Sequence, residues 1–138
     1  MANSYLNNAV YLKGNGHVQE AIAGGTITPG MLITIDSDLT VIANADAAAV
    51  VPQILFAVED ELQGNEITDN YSAADIVKYV APQRGDEVGA IASAAIAVGA
   101  IVESTGNGKV RTRTTGKALG QCLTVADADG DRFVLQIN

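Results

Sequence analysis

The stretch Ala21-Ile22-Ala23-Gly24-Gly25-Thr26-Ile27-Thr28-Pro29-Gly30-Met31-Leu32-Ile33 lies without a gap over Ala90-Ile91-Ala92-Ser93-Ala94-Ala95-Ile96-Ala97-Val98-Gly99-Ala100-Ile101-Val102. The offset is constant (91 − 22 = 69) and still holds at Val41 and Val110. Taken alone, residues 91–102 also read as an Ala-rich helix, because Ala is the best helix former. The first copy removes that choice. Its Gly24-Gly25 and Pro29-Gly30 break any helix across the matching positions. Equivalent sequence takes equivalent structure, so each copy is predicted to form a strand, a Gly-bearing turn, a second strand, a polar turn and a return strand.

Working outward, 9–13 reads as a first strand closed by Gly14-Asn15-Gly16, and 18–23 as a second. Residues 31–35 and 39–43 form a hairpin around Asp36-Ser37-Asp38. Its counterpart turns at Thr105-Gly106-Asn107-Gly108, where Asn-Gly supplies the positive φ values of tight hairpins, and returns over 109–115. Between the copies lie a strand at 54–58, an acidic turn-rich excursion over 59–75, and strands at 76–81 and 87–92. The end reads as a strand over 118–126, the turn Asp127-Ala128-Asp129-Gly130-Asp131, and a strand over 132–137 with Phe133, Leu135 and Ile137 on one face. Residues 45–50 offer the only short helical turn. Many short strands punctuated by Gly and Asp predict an all-β fold, a small barrel or sandwich built from two related strand-turn-strand repeats. The expected organisation is an N-terminal arm over 1–8 and a single β-rich domain over 9–138, with the internal repeat at 21–41 and 90–110.

Composition narrows the function. Of 138 residues, 48% are apolar but only 4% aromatic, so Ala, Val and Ile must fill a thin core. A thin core favours stabilisation by partners or self-association. The net charge of −8 is uneven. Residues 1–77 hold one basic residue, Lys13, against ten acidic ones, whereas 78–138 hold seven basic against six. An acidic chain repels nucleic-acid backbones, so nucleic acid is not an expected partner. The longest uncharged stretch, 88–102, falls short of the about 20 apolar residues of a membrane span, so no membrane association is expected. The first eight residues lack the basic start and apolar run of a signal peptide, and the single Cys122 permits no internal disulfide. Synthesis in a reducing compartment follows.

The inventory of reactive groups is sparse. One His, His17, and one Cys cannot build a His/Cys metal cluster, so no metal or cofactor is expected. His17 reads as an exposed loop residue and Cys122 as a small buried one. The 127–131 turn carries calcium-loop letters, but position 6 from Asp127 is Arg132 and position 12 is Asn138, so the loop chemistry fails. Arg84-Gly85-Asp86 matches the integrin tripeptide by letters only, and a turn between strands needs its Gly. Glu59-Asp60-Glu61 reads as a solvated charge run rather than a general acid/base pair, which would need burial. Arg111 and Arg113, two apart on one strand, share a face and with Lys109 and Lys117 form the only basic patch. That patch reads as an ordinary solvated strand face, or else as a contact for an acidic surface such as the first half of a neighbouring copy. The chain is not expected to be an enzyme.

Several segments carry a resemblance. These are Ala57-Val58-Glu59-Asp60-Glu61-Leu62-Gln63-Gly64, Ile67-Thr68-Asp69-Asn70-Tyr71-Ser72-Ala73-Ala74-Asp75 and Arg84-Gly85-Asp86-Glu87-Val88-Gly89-Ala90. The closing segments Gly116-Lys117-Ala118-Leu119-Gly120-Gln121-Cys122-Leu123 and Arg132-Phe133-Val134-Leu135-Gln136-Ile137 share it. Together they resemble the head decoration (cement) proteins of tailed bacteriophages over roughly residues 16–137. The resemblance implies a β-rich protein on the outer surface of an assembled capsid, made in the host cytoplasm, with the major capsid protein as partner and no catalytic residues. Many repeated weak contacts then hold it in place. A homotrimer at local three-fold positions is the expected assembly, with a dimer as the alternative. Candidate capsid or protomer contacts are Tyr5 and Leu6 in the arm, Tyr71, Arg84, Arg111 and Arg113. Two other classes stay open: a tail or fibre component, and a ligand-binding β accessory domain.

Overall fold

The computed structural model describes residues 9–45 and 51–138. The candidate arm contacts Tyr5 and Leu6, and the helical turn expected near 45–50 apart from Ala45 itself, lie outside them. Eleven strands form two antiparallel sheets. In chain order they are β1 (Tyr11–Lys13), β2 (His17–Ile22), β3 (Leu32–Ile35), β4 (Val41–Ala43), β5 (Leu55–Ala57), β6 (Ile76–Ala81), β7 (Glu87–Ile91), β8 (Ile101–Gly106), β9 (Lys109–Thr112), β10 (Gly120–Cys122) and β11 (Arg132–Ile137). The fold is all-β and sandwich-like, as the sequence predicts. The terminal strand expected over 118–126 is shorter: only Gly120–Cys122 pairs continuously, and Ala126 makes a single bridge to Ile96.

The duplication runs through the whole domain, well past the 21–41 and 90–110 segments that the sequence displays. One sheet has the order β2-β6-β5-β3-β4, and the other has β7-β11-β10-β8-β9 with β1 added beside β7. Each strand of the first half therefore has its counterpart in the second. Hydrogen bonds repeat with them. Gly30 N donates to Ala57 O as Gly99 N donates to Cys122 O. Ile27 exchanges two backbone bonds with Tyr71, as Ile96 does with Ala126. An isolated parallel bridge ties the residue after β2 to β4, Ala23 to Val41, and the residue after β7 to β9, Ala92 to Val110.

The cores follow the same plan. Ala23, Ile27, Ile33, Val41, Ala57, Tyr71, Val77 and Tyr79 fill the inner face of the first sheet. Ala92, Ile96, Val102, Val110, Cys122, Ala126, Phe133 and Leu135 occupy the matching positions of the second. Strand alternation turns the intervening residues Leu32, Phe56 and Val80 outward, where they join the larger cluster between the halves. Side-chain size is redistributed between the halves: Tyr71 and Val77 of the first stand where the second has Ala126 and Phe133.

Two devices lock the halves together. Arg132 at the start of β11 donates from Nη1 to Pro29 O (2.7 Å) and from Nη2 to Ile67 O (3.1 Å). Leu32 N donates to Gly108 O (2.8 Å) and Gly108 N to Asn44 O (3.0 Å). Burial lowers the pKa of Arg132, and the nearby Glu59 carboxylate pulls it back up.

Candidate interaction surface

The chemically capable side chains are spent on structure. Glu103, wholly buried in β8, accepts from Gly116 N (2.7 Å), Thr114 N (3.0 Å) and Thr115 N (3.1 Å) through Oε1. Through Oε2 it accepts from Arg111 Nε (2.8 Å) and Thr114 Oγ1 (3.2 Å). Burial alone would raise its pKa, but these donors outweigh it and hold the carboxyl at about 2. Tyr71 is buried and its hydroxyl donates to Val58 O (2.6 Å), with burial pushing its pKa up to about 12. Cys122 is buried, its thiol pushed up by desolvation and directed at Thr124 O. A raised thiol pKa is the opposite of what a nucleophile needs.

The acidic run differs from its sequence reading. Glu61 is exposed at the start of a single 3-10 turn, Glu61–Gln63, but Glu59 and Asp60 are buried. Glu59 Oε2 accepts from Val10 N (3.1 Å), tying the entry of β1 to the excursion. Local sequence predicts solvation here. Burial arises because the excursion folds back between the halves, where Ile67 also packs.

The basic patch also comes apart. Arg111 pairs with Glu103, and Lys109 Nζ meets Asp129 (2.8 Å). β9 ends at Thr112, so Arg113 leaves the strand; its Nε bonds Gly116 O, but its side chain stays exposed. Lys117 Nζ reaches Val51 O. Arg84 is exposed in the turn before β7. The neighbouring Asp86 faces inward and accepts from Tyr11 Oη (2.6 Å) and Gln83 N (2.8 Å), which removes the tripeptide's carboxylate from the surface. His17 is exposed as the first residue of β2, not in a loop. Tyr71 lies in the core. Among the candidate contacts within the described residues, Arg84 and Arg113 are the two fully exposed ones.

What remains at the surface is apolar and unevenly placed. In the first half Ile22 and Ile76, cross-strand partners in β2 and β6, are both half exposed, and Leu39 at the β3–β4 turn is 77% exposed. Leu62, on the excursion, overhangs a cleft of about 180 Å³ with Val18, Glu20 and Lys78. In the second half Val98, Ile101 and Val125 are exposed. Sequence reasoning missed these residues because each is an ordinary strand or turn residue by pattern. Aligning the repeat and comparing burial at matched positions finds them. Among the described residues no group of His, Cys, Asp and Glu is arranged to hold a metal ion.

No family model and no curated protein matches this chain. Its fold is similar to a solved structure, the N-terminal base of head fiber gp8.5 in bacteriophage phi29, with a TM-score of 0.62. The match covers 90% of this chain and 95% of that one at 14% identity. Agreement at that identity is agreement of fold.

Proposed function

We propose that this protein is a structural component of a tailed-bacteriophage virion, without catalytic activity, that attaches to the outer surface of the head. There it braces neighbouring subunits of the major capsid protein, as a homotrimer, with a dimer as the alternative assembly. The observation that carries this reading is the fold shared, over nearly the whole chain, with the base of a phage head fiber. The residue chemistry supports it: Glu103, Tyr71, Asp86 and Cys122 are all engaged in holding strands and turns. A small core braced by such bonds makes a stiff platform for surface contacts. Sparse aromatic content suits many shared weak contacts rather than one hot spot.

The match to a fiber base also favours a second reading, in which the domain seats a longer fibre on the head. Mass spectrometry of separated heads and tails tests both: the protein is expected in heads. Recovery with tails alone contradicts them. Readdition to heads stripped of it is expected to restore heat resistance, and deletion of residues 2–8, with Tyr5 and Leu6, to lower occupancy. Full restoration in heads lacking any attached fibre separates bracing from fibre seating.

A further inference from the structure

The contact between the halves has two sides, and the duplication leaves a second set of both sides uncovered. On one side, the Thr28–Gly30 turn and Leu32 of the first half press on the second half. A Cβ at Gly30 would meet Arg132 Nη1, Gly89 O and Ile91. The equivalent glycine, Gly99, adopts the same left-handed φ (+90° against +99°) with nothing within 4 Å. Leu32 is wholly buried, whereas its counterpart Ile101 is 43% exposed, and Val98, in the place of Pro29, is open to solvent.

The other side repeats the imbalance in reverse. Ile91, Arg132 and Gly108 of the second half receive the first half. Their counterparts are Ile22, Ile76 and Leu39. Ile91 is 7% exposed and Ile22 53%. Leu39 keeps the positive φ of Gly108 (62° against 75°), although the second turn also has positive φ at Gly106 and Asn107, where Ser37 and Asp38 do not. By repeat position, the exposed 97–99 turn and β8 of one molecule correspond to the buried side of the internal contact, and the exposed Ile22, Leu39 and Ile76 of another correspond to its receiving side.

We propose that a second copy of this chain docks head to tail, placing its Val98 and Ile101 on the Ile22, Leu39 and Ile76 face of its neighbour. This contact follows the arrangement that joins the halves within a molecule, with Leu39 facing the small Ala100 where Gly108 faces Met31, so the two surfaces adjust around the larger Leu39 side chain. Charge agrees with the pairing. Arg113 stands where Asn44 stands in the internal contact, and Asn44 meets Gly108, so Arg113 comes to the Leu39 turn, flanked by Asp36 and Asp38. The outer version is more polar than the inner one, with Gln121 and Gln136 in the places of Phe56 and Val80, which suits a contact that forms after folding. The interface is heterologous, so it closes into a ring or extends, and it disfavours the two-fold dimer. The inference gives a surface to the self-association proposed above and does not depend on attachment to a head.

The test uses two double variants of the full chain, V98D/I101D and I22D/I76D, with folding checked by circular dichroism and thermal melting. All four positions are exposed, so native-like melts are expected. By sedimentation at about 100 μM, the wild type is expected above monomer mass and each variant as monomer. An equimolar mixture is expected to form a 1:1 dimer, because each variant retains the side that the other lacks. A wild type that stays monomeric, variants that still assemble, or a mixture that stays monomeric would each overturn the proposal. Loss of head binding by assembly-competent protein would instead count against the proposed function alone.

Discussion

The two halves share strand order, register and inner-face packing, yet they differ wherever a surface has been covered. The second half receives β1 along β7, and its outer face receives the turn of the first half. Among the described residues the first half has no strand added to β2, and it carries the 59–70 part of the excursion, which its partner lacks. Position 103 shows the divergence at one residue. Glu103 organises the 113–116 turn through five hydrogen bonds, while the matching Thr34 accepts a single one, from Asn44 Nδ2 (2.8 Å). The two halves thus share a scaffold, and the residues at matched surface positions set which faces are interior.

The largest expected effect breaks that contrast. Glu103→Ala leaves three backbone donors and Arg111 without their acceptor and is expected to cost about 3–5 kcal/mol by urea unfolding. Thr34→Ala is expected to cost about 1 kcal/mol. Equal costs would refute the asymmetry. Glu103 also sets an acid limb. Its folded pKa, about 2, lies below the ordinary value of 4.5, so its contribution is complete above pH 4.5 and is lost as pH falls toward 2. Urea unfolding from pH 5 down to 2 is expected to show this loss, and Glu103→Gln to flatten it.

Next in size is the pair of matched glycines. Gly30→Ala and Gly99→Ala both place a side chain at positive φ, at about 1–2 kcal/mol each. Gly30→Ala also meets Arg132 and Gly89 O and is expected to cost at least about 1 kcal/mol more. A difference of similar size is expected at Arg132 and its counterpart. Arg132→Ala removes two charged hydrogen bonds between the halves, about 2 kcal/mol. Ile76→Ala, at an exposed strand position, is expected to change monomer stability by less than about 0.5 kcal/mol, measured at concentrations low enough to suppress association. Tyr71→Phe is expected to cost about 1 kcal/mol, for the bond to Val58 O.

Much of the fold was legible because glycine and proline in the first copy constrain the Ala-rich second one. The strands at 31–35, 76–81 and 132–137 follow from alternation and flanking turns. The full extent of the repeat was hidden by length changes: the matched offset falls to 65 at Ala57 and Cys122 (122 − 57) and to 56 at Tyr79 and Leu135 (135 − 79). Identity across these later strands is low, although their inner-face positions stay buried in both halves. Glu59 and Asp60 were misread because burial there depends on how an excursion packs between halves, and local sequence carries no record of that. Arg111 looked available because its partner, Glu103, is eight residues earlier in sequence and becomes its directly opposed neighbour only when β8 and β9 pair. The exposed Ile22, Leu39, Ile76, Val98 and Ile101 gain meaning only from their buried counterparts.

The central claim is that this duplicated scaffold works through surface contacts on a phage head. Electron microscopy of heads prepared with and without the protein tests it most directly. The account predicts additional density at symmetry-related sites on the outer surface, with neighbouring copies meeting through Val98 and Ile101 on one side and Ile22 and Ile76 on the other. Heads that are indistinguishable with and without the protein would contradict it.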